Sequence, residues 1–251
     1  MKTKKFWTIV GIIGILFIGY RIAKPISETD LMNLIESGAS AQEVETAIKK
    51  TRGKNHVRVS AIINANKDPD INNQIQSITK LHPIYTASFY AKDPAVINIL
   101  VKNGVSVNPK IFNFEVYKMT SPIQMALKFN TTEGIYTSLV SNGAEFPDQI
   151  DKSLLLIDAI QNPNPNILQE YIKDGSVLKE VREKTKQGEY MAFYMAAIDK
   201  NYAYTKVYYL LAYGFNPNAR SSKGNTLYKS LSQSSQAVDM NAYRLIQQYS
   251  K

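Results

Sequence analysis

The sequence predicts an all-α fold, an array of two-helix units behind one apolar N-terminal helix. Three observations predict it. Glycines able to close helices stand at Gly104, Gly143, Gly175 and Gly214, each three residues after an apolar pair. Twenty-one residues before each glycine stand Pro83, Pro122, Leu154 and Phe193, and each opens an apolar helical pattern. Ahead of all this, Phe6 to Tyr20 runs 15 residues without a charge.

The first element is that apolar run. At about 1.5 Å per residue it makes a helix of about 22 Å, short of a hydrocarbon core about 30 Å thick. Thr3, Ile22 and Ala23, with Lys5 and Arg21 snorkelling outward, extend it. Residues 1–24 are therefore expected to be a transmembrane anchor. A basic start followed by an apolar stretch also fits a cleaved signal peptide, although Arg21 at the −3 position relative to Ala23 suits cleavage poorly. Lys2, Lys4 and Lys5 precede the run, which places the N-terminus in the cytoplasm and the body outside it. The expected location is the inner membrane, single-pass, with the body in the periplasm. Richness in Lys, Asn, Ile and Tyr hints at a bacterial source.

The second element is the array, residues 25–251. Four residues after Pro83, Pro122 and Phe193 come Ala87, Ala126 and Ala197; in the third unit the alanine is one place late, at Ala159. A small residue there lets neighbouring helices approach. Asp93-Pro94 and Asn164-Pro165 are N-cap and N1 signals for a second helix, and Thr132 takes the cap position in the second unit. Ile97, Tyr136, Leu168 and Val207 occupy a common apolar position within that helix. Flanking units are more eroded. Leu34 to Ser40 reads as the second half of a unit, Arg58 to Lys80 as a unit turning at Asp68-Pro69, and Gly224 to Tyr249 as the last.

These units resemble ankyrin repeats. The openings His82-Pro83-Ile84-Tyr85 and Ser121-Pro122-Ile123-Gln124 are similar to the family's Thr-Pro-Leu-His box. The endings Leu100 to Asn108, Ser141 to Ala144 and Tyr213 to Asn218 are similar to its Gly-Ala-Asp and Asn close. The resemblance covers residues 28–250 and is strongest over 82–218. It departs from the family where the box is never complete and where the glycines are 39, 32 and 39 apart. It implies an ankyrin-like helical-hairpin solenoid, which the apolar run would precede with one N-terminal transmembrane helix. It also implies a non-catalytic role in binding another protein.

Because the stretch from opening residue to glycine is constant at 21 residues, the extra length of the long spacings lies between units. One insertion, within Val105 to Ser121, carries Phe112, Phe114 and Tyr117. The other, within Ser176 to Met191, carries a mixed-sign run from Lys179 to Lys186 that reads as a solvated helical face. In ankyrin-like arrays such connections project along the binding side, so Phe112, Phe114 and Tyr117 are expected partner contacts. Burial against the next unit is the alternative. Tyrosine is dense in the fourth unit; Tyr194 and Tyr208 stand beside apolar neighbours at core spacing, while Tyr202 and Tyr204 fall in the turn and are expected to be exposed contacts.

Net charge is +9. Five of the 30 basic residues flank the apolar run, leaving 25 basic and 21 acidic residues in the body, so no nucleic-acid partner is expected. There is no cysteine, hence no disulfide and no thiolate metal site. The two histidines, His56 and His82, share no motif, and His82 fills the threonine position of a repeat opening, which is a structural role. No phosphate loop, nucleophile elbow or metal-ligand cluster is present, so no enzyme activity, cofactor, metal or small-molecule substrate is expected. Asn130-Thr131-Thr132 matches a glycosylation acceptor. The expected function is a membrane-tethered protein-interaction module, in its most concrete form a periplasmic immunity or inhibitor protein that binds a toxin or secreted effector. The alternative is an envelope scaffold or assembly factor.

Overall fold

The computed structural model describes residues 26–49, 62–64, 82–112, 121–146, 152–173, 175–184 and 187–250. Described residues form thirteen helices. Those of the first half are α1 (Glu28–Glu36), α2 (Ala41–Lys49), α3 (Pro83–Tyr90), α4 (Ala95–Lys102), α5 (Pro122–Phe129) and α6 (Ile135–Ser141). Next come α7 (Lys152–Gln161), α8 (Pro165–Ile172), α9 (Ser176–Lys184), α10 (Gly188–Ala197) and α11 (Ala203–Ala212). The last two are α12 (Leu227–Ser232) and α13 (Met240–Tyr249). The fold is all-α apart from a short parallel pairing of β1 (Ile62–Asn64) with β2 (Lys110–Phe112).

The helices pack in two rows. In one row α1 contacts α3, α3 contacts α5, α5 contacts α7, α7 contacts α10 and α10 contacts α12. In the other, α2, α4, α6, α8, α11 and α13 contact one another in the same succession. Within each pair the two helices also touch, α3 with α4 or α10 with α11 for example. The core is a single band between the rows. Ala87, Ala126, Ala159 and Ala197 are all buried within the first row, as are Ile97, Leu168 and Val207 within the second.

Local chemistry explains the element ends. Pro83 and Pro122 stand at N1 behind the caps His82 and Ser121, whose Nδ1 and Oγ accept from the N–H groups of Ile84 (3.2 Å) and Gln124 (3.1 Å). Asn164 caps α8 through Asn166 N–H at 3.0 Å. At the other end, Gly143 N–H donates to Val140 O at 2.9 Å and Ala144 N–H to Leu139 O at 3.0 Å. Gly104 and Val105, and Gly214 and Phe215, repeat this pair of bonds, which is the Schellman arrangement with its buried apolar residue after the glycine.

The helices are joined across units by a row of buried polar contacts. Asn130 Nδ2 donates to Ala91 O at 3.1 Å, and Asn162 Nδ2 to Leu127 O (2.8 Å) and Asn130 O (3.0 Å). Lys206 Nζ continues the row by donating to Asn162 O at 2.9 Å. Each turn thus satisfies a carbonyl of the turn before it, as buried backbone requires. Asn130 is 1% exposed with its amide engaged on both sides, so a glycan on it would not fit this packing.

Several expectations need correction. The inner-membrane, single-pass placement is withdrawn. Among the described residues no helix is long and apolar enough to cross a membrane. The longest have ten residues, about 15 Å against a hydrocarbon core of about 30 Å. The expected span, residues 6–20, lies outside the described residues, as does most of the unit expected at Arg58 to Lys80. Leu34 to Ser40 is not a second half-unit: α1 packs on α3, so Gly38 separates the two helices of one pair. Thr132 does not cap α6. Its N–H donates to Asn130 Oδ1 at 2.8 Å, and Gly134, at φ 85°, is the cap residue. Glu170 of α8 then accepts from Gly134 N–H and Thr137 N–H, both at 3.0 Å, placing an anion at the helix N-terminus.

These glycines give a graded test. A Cβ on Gly143 (φ 81°) meets nothing within 4 Å, whereas one on Gly134 comes 3.0 Å from Pro94 Cγ. Gly143→Ala is expected to cost about 1–2 kcal/mol, the left-handed penalty alone. Gly134→Ala should cost more. Urea unfolding of both variants, followed by helical circular dichroism, measures the difference, and equal costs would contradict it.

Candidate functional site

The second row ends in a tyrosine-rich surface. On α11 the buried stripe is Ala203, Lys206, Val207 and Leu210, which turns Tyr204 and Tyr208, one turn apart, outward. Tyr204 is 50% and Tyr208 52% exposed, and Tyr202, at the N-cap, 43%. On α13 the buried Ala242 and Ile246 set the opposite face, leaving Met240 and Tyr249 exposed. Tyr228 of α12 is also exposed, its ring 5.0 Å from that of Tyr243 on α13. Burial, then the Tyr228 hydroxyl, pushes the Tyr243 phenol up to about 12.

Between α11 and α13 lies a groove of about 360 Å³ lined by Tyr204, Asn241, Arg244, Leu245 and Gln248. The position of α11 is fixed from beneath by Lys206, fully buried, whose Nζ reaches Asp199 Oδ2 at 2.7 Å. Asp199 in turn accepts from the N–H groups of Asn201 (3.0 Å) and Tyr202 (2.7 Å). Burial works to raise the Asp199 carboxyl, but Lys206 and the two N–H groups outweigh it and hold the group below its ordinary value of 3.8. The ion pair therefore anchors the turn that presents Tyr202 and Tyr204.

The structure places the expected contacts unevenly. Tyr202 and Tyr204 are exposed; Tyr202 closes the turn before α11, and Tyr204 lies in the first turn of that helix. Phe112 ends β2, and nothing is described of its side chain; Phe114 and Tyr117 lie outside the described residues. Tyr208, expected in the core, is exposed, because the stripe that buries α11 runs through Lys206 instead. Tyr194 is partly buried, with its hydroxyl 3.2 Å from Ser234 Oγ. Tyr209 and Tyr213 are spent within the fold, Tyr209 donating to Asn166 Oδ1 at 3.0 Å and Tyr213 accepting from Gln169 Nε2 at 3.4 Å.

Lys179, Arg182 and Glu183 of the second insertion are exposed, so the mixed-sign run is the solvated side of a helix. That helix is α9, and Val177 and Val181, one turn apart, are buried where α9 meets α7, α8 and α10. Arg182 ties it down through Glu189 Oε1 at 3.1 Å and Gly214 O at 2.7 Å. His82 is buried as a helix cap, and burial pushes its imidazole down to about 4. Among the described residues no group of three His, Cys, Asp or Glu side chains could hold a metal ion. Comparison with known proteins finds no matching family model, no matching curated protein and no matching solved structure.

Proposed function

We propose that this chain is a non-catalytic protein-binding module, a solenoid of degenerate ankyrin-like helix pairs that grips another protein through its C-terminal tyrosine surface. The observation that carries the reading is the row Tyr202, Tyr204 and Tyr208, each held outward by a buried opposite face. Rings of this kind supply large contact area at low entropic cost and are enriched at interfaces. The two rows of helices and the shared glycine-closed ends support the repeat reading. The insertion bearing Phe112, Phe114 and Tyr117 is a second contact region in this proposal.

The test is affinity capture of the full chain from its native cells, with mass spectrometry of the retained proteins. A Tyr204→Ala/Tyr208→Ala variant is expected to keep the wild-type melting behaviour, since neither ring is core, and to lose at least about 2 kcal/mol of partner affinity. Capture that is identical for both proteins would refute the surface. Replacing Phe112, Phe114 and Tyr117 together should weaken capture without loss of helical signal, and a collapsed fold would place those rings in the core.

A further inference from the structure

Charge is distributed unevenly along the stack. Residues 200–251 hold seven basic residues and one acid, Asp239, whereas residues 25–199 hold 18 basic and 20 acidic. The segment holding α11 to α13 therefore carries a net +6 against −2 for the stretch before it. Lys200, Arg220, Lys223, Lys229 and Arg244 are all exposed, and none takes part in an ion pair among the described residues. Asp239 cannot balance them, because its carboxylate is the N-cap of α13, accepting from Asn241 N–H (3.0 Å) and Ala242 N–H (2.8 Å). Lys206 is already matched by Asp199.

The groove between α11 and α13 concentrates this character. Asn241, Arg244 and Gln248 recur at three- and four-residue steps and so share one face of α13, with Leu245 beside them and Tyr204 across from them. Among the described residues Arg244 is the only charged one in the lining. A guanidinium fork matches a carboxylate with two parallel hydrogen bonds. The flanking amides can meet peptide N–H and C=O groups, and Tyr204 with Leu245 can take an apolar side chain. A phosphate backbone would need a track of cations, and this groove has one. The four cations outside it raise the local positive potential and speed encounter with an anionic partner.

We propose that the groove between α11 and α13 binds an acidic protein segment, one carboxylate on Arg244 and an adjacent apolar side chain against Tyr204 and Leu245. This names the partner class for the protein-binding surface and rests on that reading. The test is fluorescence anisotropy of the full chain with a short fluorescein-labelled peptide of alternating glutamate and leucine. Its glutamine–leucine counterpart, an oligothymidylate and vesicles rich in anionic lipid are run in parallel. The glutamate peptide should bind best, and more weakly as salt rises across the physiological range. Arg244→Gln, an exposed site that leaves the fold intact, should weaken it about fivefold. Equal binding of the two peptides, an unchanged affinity in Arg244→Gln, or tighter binding of the oligonucleotide or vesicles would overturn the proposal. Loss of peptide binding alongside tyrosine-dependent capture of a protein would remove the acidic preference and leave the protein-binding reading standing.

Discussion

Asp199→Ala is expected to destabilise the protein by about 3–5 kcal/mol, the usual cost of stripping a buried charge of its partner. Lys206 is 0% exposed, and its ammonium donates to Asp199 Oδ2 at 2.7 Å and Asn162 O at 2.9 Å. Removing the carboxylate leaves a cation facing one neutral carbonyl, and also frees the N–H groups of Asn201 and Tyr202. The double variant Asp199→Asn with Lys206→Met should cost distinctly less, because the amide still caps the turn and a thioether chain of similar length fills the space. Urea unfolding measures both, and a single variant milder than the double would contradict the role assigned to the pair. Loss of this anchor should also lower partner capture, since it holds the turn that ends at Tyr202.

Acidification from pH 7.5 to pH 5 is expected to remove about 2 kcal/mol of stability through His82. Burial holds its imidazole at about 4 in the folded chain against 6.5 when exposed, and its Nδ1 accepts Ile84 N–H at 3.2 Å only while unprotonated. The sign follows from proton binding. Between those values the unfolded chain binds a proton that the folded chain refuses, so stability falls as pH drops through 6.5 and levels off below 4. The Asp199 contribution is lost only in stronger acid, below the ordinary aspartate value of 3.8, so the two windows are separable. His82→Ser supplies the same kind of cap that Ser121 provides for α5, without the titration. It should flatten the stability profile between pH 4 and 6.5, and a variant with the wild-type slope would assign that slope to another group.

Backbone punctuation was the legible part of this fold. Gly104, Gly143 and Gly214 announce their Schellman ends, because few residues other than glycine tolerate that conformation, and Pro83, Pro122 and Pro165 mark N1 positions for an equally local reason. What escaped depends on distant partners. Lys206 looks like a surface residue until Asp199 and Asn162 O are seen around it, yet it occupies the stripe Ala203, Val207 and Leu210, which was the available signal. Tyr208 is turned outward by that same stripe. In α9 the one-turn spacing of Val177 and Val181 was overshadowed by the surrounding charges. Thr132 satisfies the usual capping rule, whereas a cap at Gly134 depends on Glu170 from the next unit. The cationic end was readable too, but only when the body is divided, since a near-neutral total conceals a +6 segment.

The measurement that bears most directly on the protein-binding account is hydrogen–deuterium exchange of the full chain with and without the partner it captures. The account predicts slowed exchange in α11 and α13, residues 203–212 and 240–249, with α1 to α4 unchanged. A footprint confined to α1 through α6, with α11 and α13 exchanging as in the free protein, would contradict it.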